Sequence, residues 1–350
     1  MTHARWALVL SLAIFALLSR GCGGASGSSS MTPARVVEPE HTEASTRRDV
    51  TFRSGTAELR GWLYLPAGRP RFSLVIMSHG FSATRRMTAD QYAEHFRAAG
   101  LAVLLYDHRG FGDSGGEPRL QINPWVQARE YLDAFAYART LPEIDGEHIG
   151  LWGDSFSGGV ALAVAGIDHR VAALVIQVPA IGSELPPDDP DGARRKLFEE
   201  TILAGPIEPS GPDEVEGPMP VVSEDQVRRP SALTPLTACR WFMEYGGRPG
   251  SGWVNEVTRA RPKTRAPWQP ALAAAAVTCP AQFLVSPDDE MRGSRPAVAR
   301  AAYEKIAGEK EWIDIEGGHF GLIYVPSPEF NRAVREQTRF FLQHIGRSAR

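Results

Sequence analysis

Gly153-Asp154-Ser155-Phe156-Ser157-Gly158-Gly159 is the segment with the clearest capacity for chemistry. It follows the apolar run Ile149-Gly150-Leu151-Trp152 and precedes Val160-Ala161-Leu162-Ala163-Val164-Ala165, which reads as strand, tight turn, helix. A serine on such a corner holds its hydroxyl away from the backbone. The N–H groups that follow it lie at a helix N-terminus, where they can stabilise a negative oxygen. Strand and helix come close there, so the flanking residues must be small, and Gly153 and Ser157 are. The usual pattern is G-x-S-x-G; here the last glycine is replaced by serine. Ser157 competes as the reactive serine, since Ser155 and Gly159 give it small neighbours as well. Ser155 is preferred because it comes directly off the strand, whereas Ser157 falls within the first helical turn.

A hydroxyl needs a base to take its proton, and the base needs an acid to orient it and stabilise its cation. Ala281-Gln282-Phe283-Leu284-Val285 reads as a strand running into the acidic turn Ser286-Pro287-Asp288-Asp289-Glu290. Trp312-Ile313-Asp314-Ile315 reads as another, running through Gly317-Gly318 to His319. Taken singly, these are an ordinary turn, a solvated acidic turn and a loop histidine. Taken together, serine, acid and histidine each follow a strand, where ligands of open α/β sheets bind. The order Ser, Asp, His is that of the α/β-hydrolase fold. In that fold the loop after an earlier strand supplies a second oxyanion donor. Here the loop is His79-Gly80-Phe81, after the strand Phe72–Ser78, so the expected donors are the backbone N–H groups of Phe81 and Phe156. Such donors are each worth about 3–4 kcal/mol in a transition state. His79 is expected to be structural.

The elements that must position these residues are legible as alternating patterns. Val50-Thr51-Phe52 and Leu59–Leu65 suggest an antiparallel pair. Thr88-Ala89-Asp90-Gln91 suggests a capping box opening a helix that ends near Gly100, and Leu101–Tyr106 reads as a buried strand. Asn123-Pro124 opens a helix with proline at its first position, and Ser327-Pro328 caps a last helix burying Phe330, Val334 and Phe341. Strands alternating with helices imply a mostly parallel sheet covered on both faces. Residues 182–270 break the alternation and read as a cap insertion. Its aromatics Trp241, Phe242, Tyr245, Trp253 and Trp268 either line an apolar pocket or fasten the cap to the core.

The net charge of −3 carries no basic excess of the kind nucleic acid selects, and the nine histidines show no metal-ligand spacing. Residues 1–22 read as a signal peptide: Trp6–Leu18 is a 13-residue apolar run behind Arg5, too short for a comfortable span. Cys22 resembles a bacterial lipoprotein processing site, which gives the expectation of an exported, membrane-tethered protein. Residues 23–46 suit a flexible linker and residues 47–345 a single domain. The alternative is a cytosolic protein starting at Met31. Cys239 and Cys279 could pair, and the oligomeric state is open.

Over about residues 47–345 the chain resembles the α/β-hydrolase superfamily. Several phrases resemble a subgroup related to dienelactone hydrolases that includes fungal polyketide transferases and thiohydrolases. They are Ser78-His79-Gly80-Phe81-Ser82, Tyr106–Ser114, Gly116-Glu117-Pro118-Arg119, Leu151–Gly159 and Trp253–Thr258. The resemblance implies Ser155 as nucleophile, Asp289 rather than Asp288 as acid, with Ser286 at the small position of that turn, and His319 as base. It accounts for serine at 157, makes Asp107–Ser114 a structural loop, and implies no cofactor. The expected activity is hydrolysis of an ester or thioester of a small-molecule acyl substrate through an acyl-enzyme. Acyl transfer, peptide cleavage and non-catalytic ligand binding are the alternatives.

Overall fold

The computed structural model describes residues 46–346, apart from 69, 70 and 206, and builds them into alternating strands and helices. The signal-peptide and Cys22 expectations, and all but residue 46 of the expected linker, lie outside the described residues. β1 (Thr46–Ser54) and β2 (Ala57–Leu65) pair antiparallel, with Val50 opposite Gly61. Then come β3 (Phe72–Ser78), α1 (Ala89–Ala98), β4 (Ala102–Tyr106), the short β5 (Gln121–Ile122) and α2 (Pro124–Ala138). β6 (Ile144–Asp154), α3 (Ser155–Ile167) and β7 (Ala173–Gln177) carry the serine turn. The insertion holds α4 (Ala193–Leu203), β8 (Val215–Met219), α5 (Leu236–Gly246) and β9 (Val257–Ala260), followed by a short 3-10 stretch, Pro270–Ala276. β10 (Ala281–Val285), α6 (Pro296–Lys305), β11 (Lys310–Asp314), the single turn α7 (Gly318–Gly321) and α8 (Pro328–His344) complete the chain.

The main sheet has the order β1-β2-β4-β3-β6-β7-β10-β11. β2 is antiparallel to both β1 and β4; every other neighbouring pair is parallel. Because successive side chains point to opposite faces, each central strand feeds two cores. Leu74 and Ile76 of β3 join the cluster under α2 and α3, while Val75 and Met77 join the one under α1 and α8. Cys279 belongs to the first cluster and Cys239 to the second, and the two thiols are not bonded to each other.

α8 is fixed to the sheet by a buried polar line as well as by apolar contact. Trp152 Nε1 donates to Gln337 Oε1 at 2.7 Å, and Gln337 Nε2 donates to Gln177 Oε1 at 2.7 Å. Ser327 accepts the Phe330 N–H at 2.9 Å, and Asn123 accepts the N–H groups of Trp125 and Val126, so both caps form as their residue types require. The capping box at Thr88 does not form. Thr88 has φ 93° and makes no side-chain cap bond. A capping hydroxyl reaches the helix from extended backbone, and the preceding turn delivers Thr88 in the left-handed region instead.

The insertion is anchored on both sides. Phe198 and Ile202 of α4 are buried in the same cluster as α2 and α3. β9 pairs parallel with β5 and antiparallel with β8, making a second sheet of three strands. Among the described residues no helix is long and apolar enough to cross a membrane.

Candidate active site

The turn between β6 and α3 places Ser155 at φ 49°, a left-handed conformation that costs a non-glycine residue about 1–2 kcal/mol. A Cβ at Gly153 would collide with the Ser157 carbonyl oxygen, which is why that position must be bare. Ser157 lies inside α3 and is fully buried. Its hydroxyl donates to the Ser78 carbonyl at 2.9 Å and accepts the Asp154 N–H at 3.2 Å. It therefore ties the end of β3 to the turn, and it does not face the acid or the histidine.

His319 Nε2 is 2.9 Å from Ser155 Oγ, and His319 Nδ1 is 2.8 Å from Asp289 Oδ2. The ring and the carboxylate are almost fully removed from solvent, at 1% and 0% side-chain exposure. Since a carboxylate only accepts, Nδ1 carries the proton and Nε2 is free to accept the serine proton. The three consecutive acids after β10 have separate partners around the histidine. Asp288 accepts the Ser286 hydroxyl at 2.7 Å and the Gly317 and Gly318 N–H groups at 3.3 and 3.1 Å. The Ser286 hydroxyl holds the Asp288 carboxyl below the usual range. Asp289 faces the imidazole. Glu290 accepts the His319 backbone N–H at 2.8 Å and, through its other oxygen, the Thr237 hydroxyl of α5. Sequence reasoning missed Glu290, although it adjoins Asp289, because only the fold brings Thr237 to it.

The loop after β3 passes over the serine. A Cβ at Gly80 would lie 3.0 Å from Ser155 Cβ and 3.2 Å from the Asp154 carbonyl oxygen. Phe81 and Phe156 meet edge to face with ring centroids 5.8 Å apart, and both line the cavity. The Phe156 N–H falls in the first turn of α3, where the helix offers it no partner. His79 Nδ1 donates to the Gly80 carbonyl at 3.0 Å. Burial pulls its pKa down to about 4, so the ring is neutral and supports the loop. Behind it Asp107 accepts the Arg85 N–H at 2.7 Å and pairs with the Arg85 guanidinium. The loop that follows is fastened to the insertion by Arg109, which grips Glu208 through both terminal nitrogens at 2.5 and 3.0 Å.

A cavity of about 660 Å³ opens above Ser155. Phe81, Phe156, Trp241, Phe242, Trp268 and Phe320 supply much of its wall. The aromatics of the insertion divide between the two expected tasks. Trp241 and Phe242 line the cavity and also pack on Phe320, whereas Tyr245 bonds the Val325 carbonyl at 3.2 Å and serves as a fastener. Asp154 also lines the cavity, and burial chiefly pushes its carboxyl up to about 6. Among the described residues no group of three or more histidines, cysteines or carboxylates is placed to hold a metal.

A family model described as serine aminopeptidase, S33 matches residues 69–232. The quorum-quenching protein AidA of Acinetobacter baumannii is 41% identical over 131 residues, covering 37% of this chain and 43% of that protein. A thiohydrolase of Eupenicillium brefeldianum is 39% identical over 147 residues, covering 42% of this chain and 47% of that protein. The chain thus spans less than half the length of either relative. The crystal structure of the α/β hydrolase GrgF from a Penicillium species superposes with a TM-score of 0.65 at 26% identity, over 86% of this chain and all of GrgF. A serine on a left-handed strand–helix corner, within this sheet order and with these relatives, makes the chain an α/β hydrolase. Within that superfamily its sequence is similar to fungal proteins named thiohydrolase and polyketide transferase.

Proposed function

We propose that the protein is a serine hydrolase of carboxylic esters or thioesters. Ser155 Oγ attacks the carbonyl while His319 Nε2 takes its proton, and Asp289 holds the resulting imidazolium. The N–H groups of Phe81 and Phe156 stabilise the oxyanion. His319 returns the proton to the departing alcohol or thiol, leaving an acyl group on Ser155. Water, deprotonated by the same histidine, then releases the acid. The observation that carries this reading is the continuous hydrogen-bonded line from Ser155 through His319 to Asp289. A fluorophosphonate probe tests it. Modification of Ser155, located by mass spectrometry and lost in Ser155→Ala and His319→Ala, is the expected result. Unchanged ester turnover by folded Ser155→Ala overturns it.

Acyl transfer to an alcohol or amine is the second reading. It is supported by the aromatic wall, which limits water around the acyl group, and by the polyketide transferases of the subgroup. Added alcohols that never capture the acyl group exclude it. The description of the matched family brings peptides into the substrate panel, and absence of cleavage there removes that reading. We also propose, from the sequence of residues 1–22, export and lipidation at Cys22. A labelled fatty acid incorporated into the full chain, and absent from Cys22→Ala, is the expected result; no incorporation into either refutes it.

A further inference from the structure

Three arginines reach the wall of the otherwise largely apolar cavity: Arg259, Arg261 and Arg292. They are poorly matched by carboxylates. Glu216 is committed to Arg261, and its oxygen is 3.8 Å from Arg259 Nη1. Arg292 is exposed and pairs with no carboxylate among the described residues. Among the described residues the only acid in the wall is Asp154, beside Ser155. At neutral pH the substrate space therefore carries an excess of fixed positive charge.

Arg259 is the best placed of the three. It sits on β9, held by pairing of Arg259 with Ile122 of β5 and with Glu216 of β8. Its Nη2 donates to the Ala232 carbonyl at 2.6 Å, which fixes the side chain. Its Cζ lies 5.4 Å from the centroid of the Phe81 ring, beside the loop that crosses Ser155. A guanidinium has five N–H donors, so most of them remain for a ligand. A half-buried guanidinium whose one nearby carboxylate oxygen, at 3.8 Å, is taken more closely by Arg261 gains from a further negative group, and its planar fork matches carboxylate or phosphate oxygens.

We propose that Arg259, with Arg292, receives an anionic oxygen group carried by the substrate close to the scissile carbonyl. The ligand class is thus an acyl ester or thioester bearing a carboxylate or a phosphate. This rests on the reading of Ser155 as nucleophile. A neutral substrate fills the aromatic wall but leaves the arginines unpaired, so charge is what the cavity discriminates.

Two matched substrate pairs test this and separate the sources of the charge. p-Nitrophenyl hemiglutarate against its methyl ester varies charge on the acyl side. S-acetyl-4′-phosphopantetheine against S-acetylpantetheine varies it on the leaving side. The expected result is a kcat/KM ratio of anionic to neutral member of about tenfold or more in at least one pair, the worth of one charge-assisted hydrogen bond. Arg259→Gln should bring that ratio towards one, and Arg259→Lys should keep part of it. A merely structural role for Arg259 would lower both rates and leave the ratio alone. Fluorophosphonate labelling of Ser155 in each variant reports that the site is still assembled. A wild-type ratio at or below one in both pairs overturns the inference, as does a ratio that survives in both Arg259→Gln and Arg292→Gln. Turnover of neither member of either pair, with no labelling of Ser155, overturns the hydrolase reading itself and this inference with it.

Discussion

Ser157→Ala isolates what the departure from G-x-S-x-G contributes. The hydroxyl accepts the buried Asp154 N–H at 3.2 Å and donates to the Ser78 carbonyl at 2.9 Å. Removing it leaves a buried N–H without its partner, at about 1–3 kcal/mol. The Ser78 carbonyl oxygen has a second lone pair and loses less, roughly 0.5–1.5 kcal/mol. The sum is about 1.5–4.5 kcal/mol. At roughly 2 °C per kcal/mol for a domain of this size, Tm should fall by about 3–9 °C. Ser157→Gly should fall further, since glycine in a helix costs about another 1 kcal/mol. Scanning calorimetry measures the fall, and fluorophosphonate labelling at a temperature where both proteins are folded measures the site. Labelling at Ser155 should persist. A Tm change under about 1 °C refutes the hydrogen-bond argument. Loss of all labelling in folded Ser157→Ala, with labelling kept in Ser155→Ala, moves the nucleophile two residues along.

Asp289→Asn should keep the fold but hold the histidine in the wrong tautomer, lowering kcat on an ester by about 10⁴-fold; a loss under tenfold refutes the assigned geometry. Gly80→Ala should lower kcat more than it lowers Tm, because the added Cβ at 3.0 Å from Ser155 Cβ displaces the loop that carries Phe81; a stopped-flow acylation rate unchanged from wild type contradicts this. Glu290→Ala removes the acceptor of the His319 N–H and should reduce kcat several-fold, with part of the loss restored in Glu290→Gln, whose amide oxygen still accepts, read from steady-state kinetics. Asp154 gives a pH signature. Its folded value of about 6 lies above the unfolded carboxylate, so the native state keeps a proton that the unfolded chain releases from about pH 4 upward. Stability therefore falls as pH rises through 4–6. Asp154→Asn should gain on wild type across that window, by up to about 3 kcal/mol at pH 7.5, in urea titrations at pH 4.5 and 7.5.

What the sequence made legible is what short-range pattern encodes. Ser155, Asp289 and His319 each follow an apolar strand, and a parallel sheet must bring such strand ends to one edge. That is why residues 164 apart in the chain, Ser155 and His319, could be paired before any geometry was known. The choice of Asp289 over Asp288 came from the family's turn pattern and not from periodicity, because the two differ only in which way one turn faces; Asp289 is the one that meets the imidazole. Thr88 shows the opposite failure, in which a good local cap signal is overridden by the turn that feeds it. Glu290 and Arg259 were illegible for another reason. Their partners, Thr237 and Phe81, come from segments whose spacing in the sequence carries no periodic signal.

The same contacts explain how the strained corner is kept. The left-handed Ser155 would relax if the strand and helix around it could separate. Three independent restraints oppose that. Gly80 lies against the serine, so the loop above it cannot settle deeper. Ser157 ties the corner back to the end of β3. The Ala180 N–H, just beyond β7, donates to the Ser155 carbonyl at 2.7 Å and holds the corner from the far side. Two of these restraints come from the end of β3 and the loop after it, and the third from beyond β7, so loss of one leaves the other two. Single substitutions at these positions should therefore shift the rate of acylation before they unfold the protein. On the histidine side Asp288 holds the Gly317 and Gly318 N–H groups and Asp289 the ring, while the His319 backbone N–H is held by Glu290, which also bonds the insertion at Thr237. Through Glu290, α5 and the backbone of His319 thus share one carboxylate, and a substitution at Thr237 should reach the histidine before it reaches Ser155.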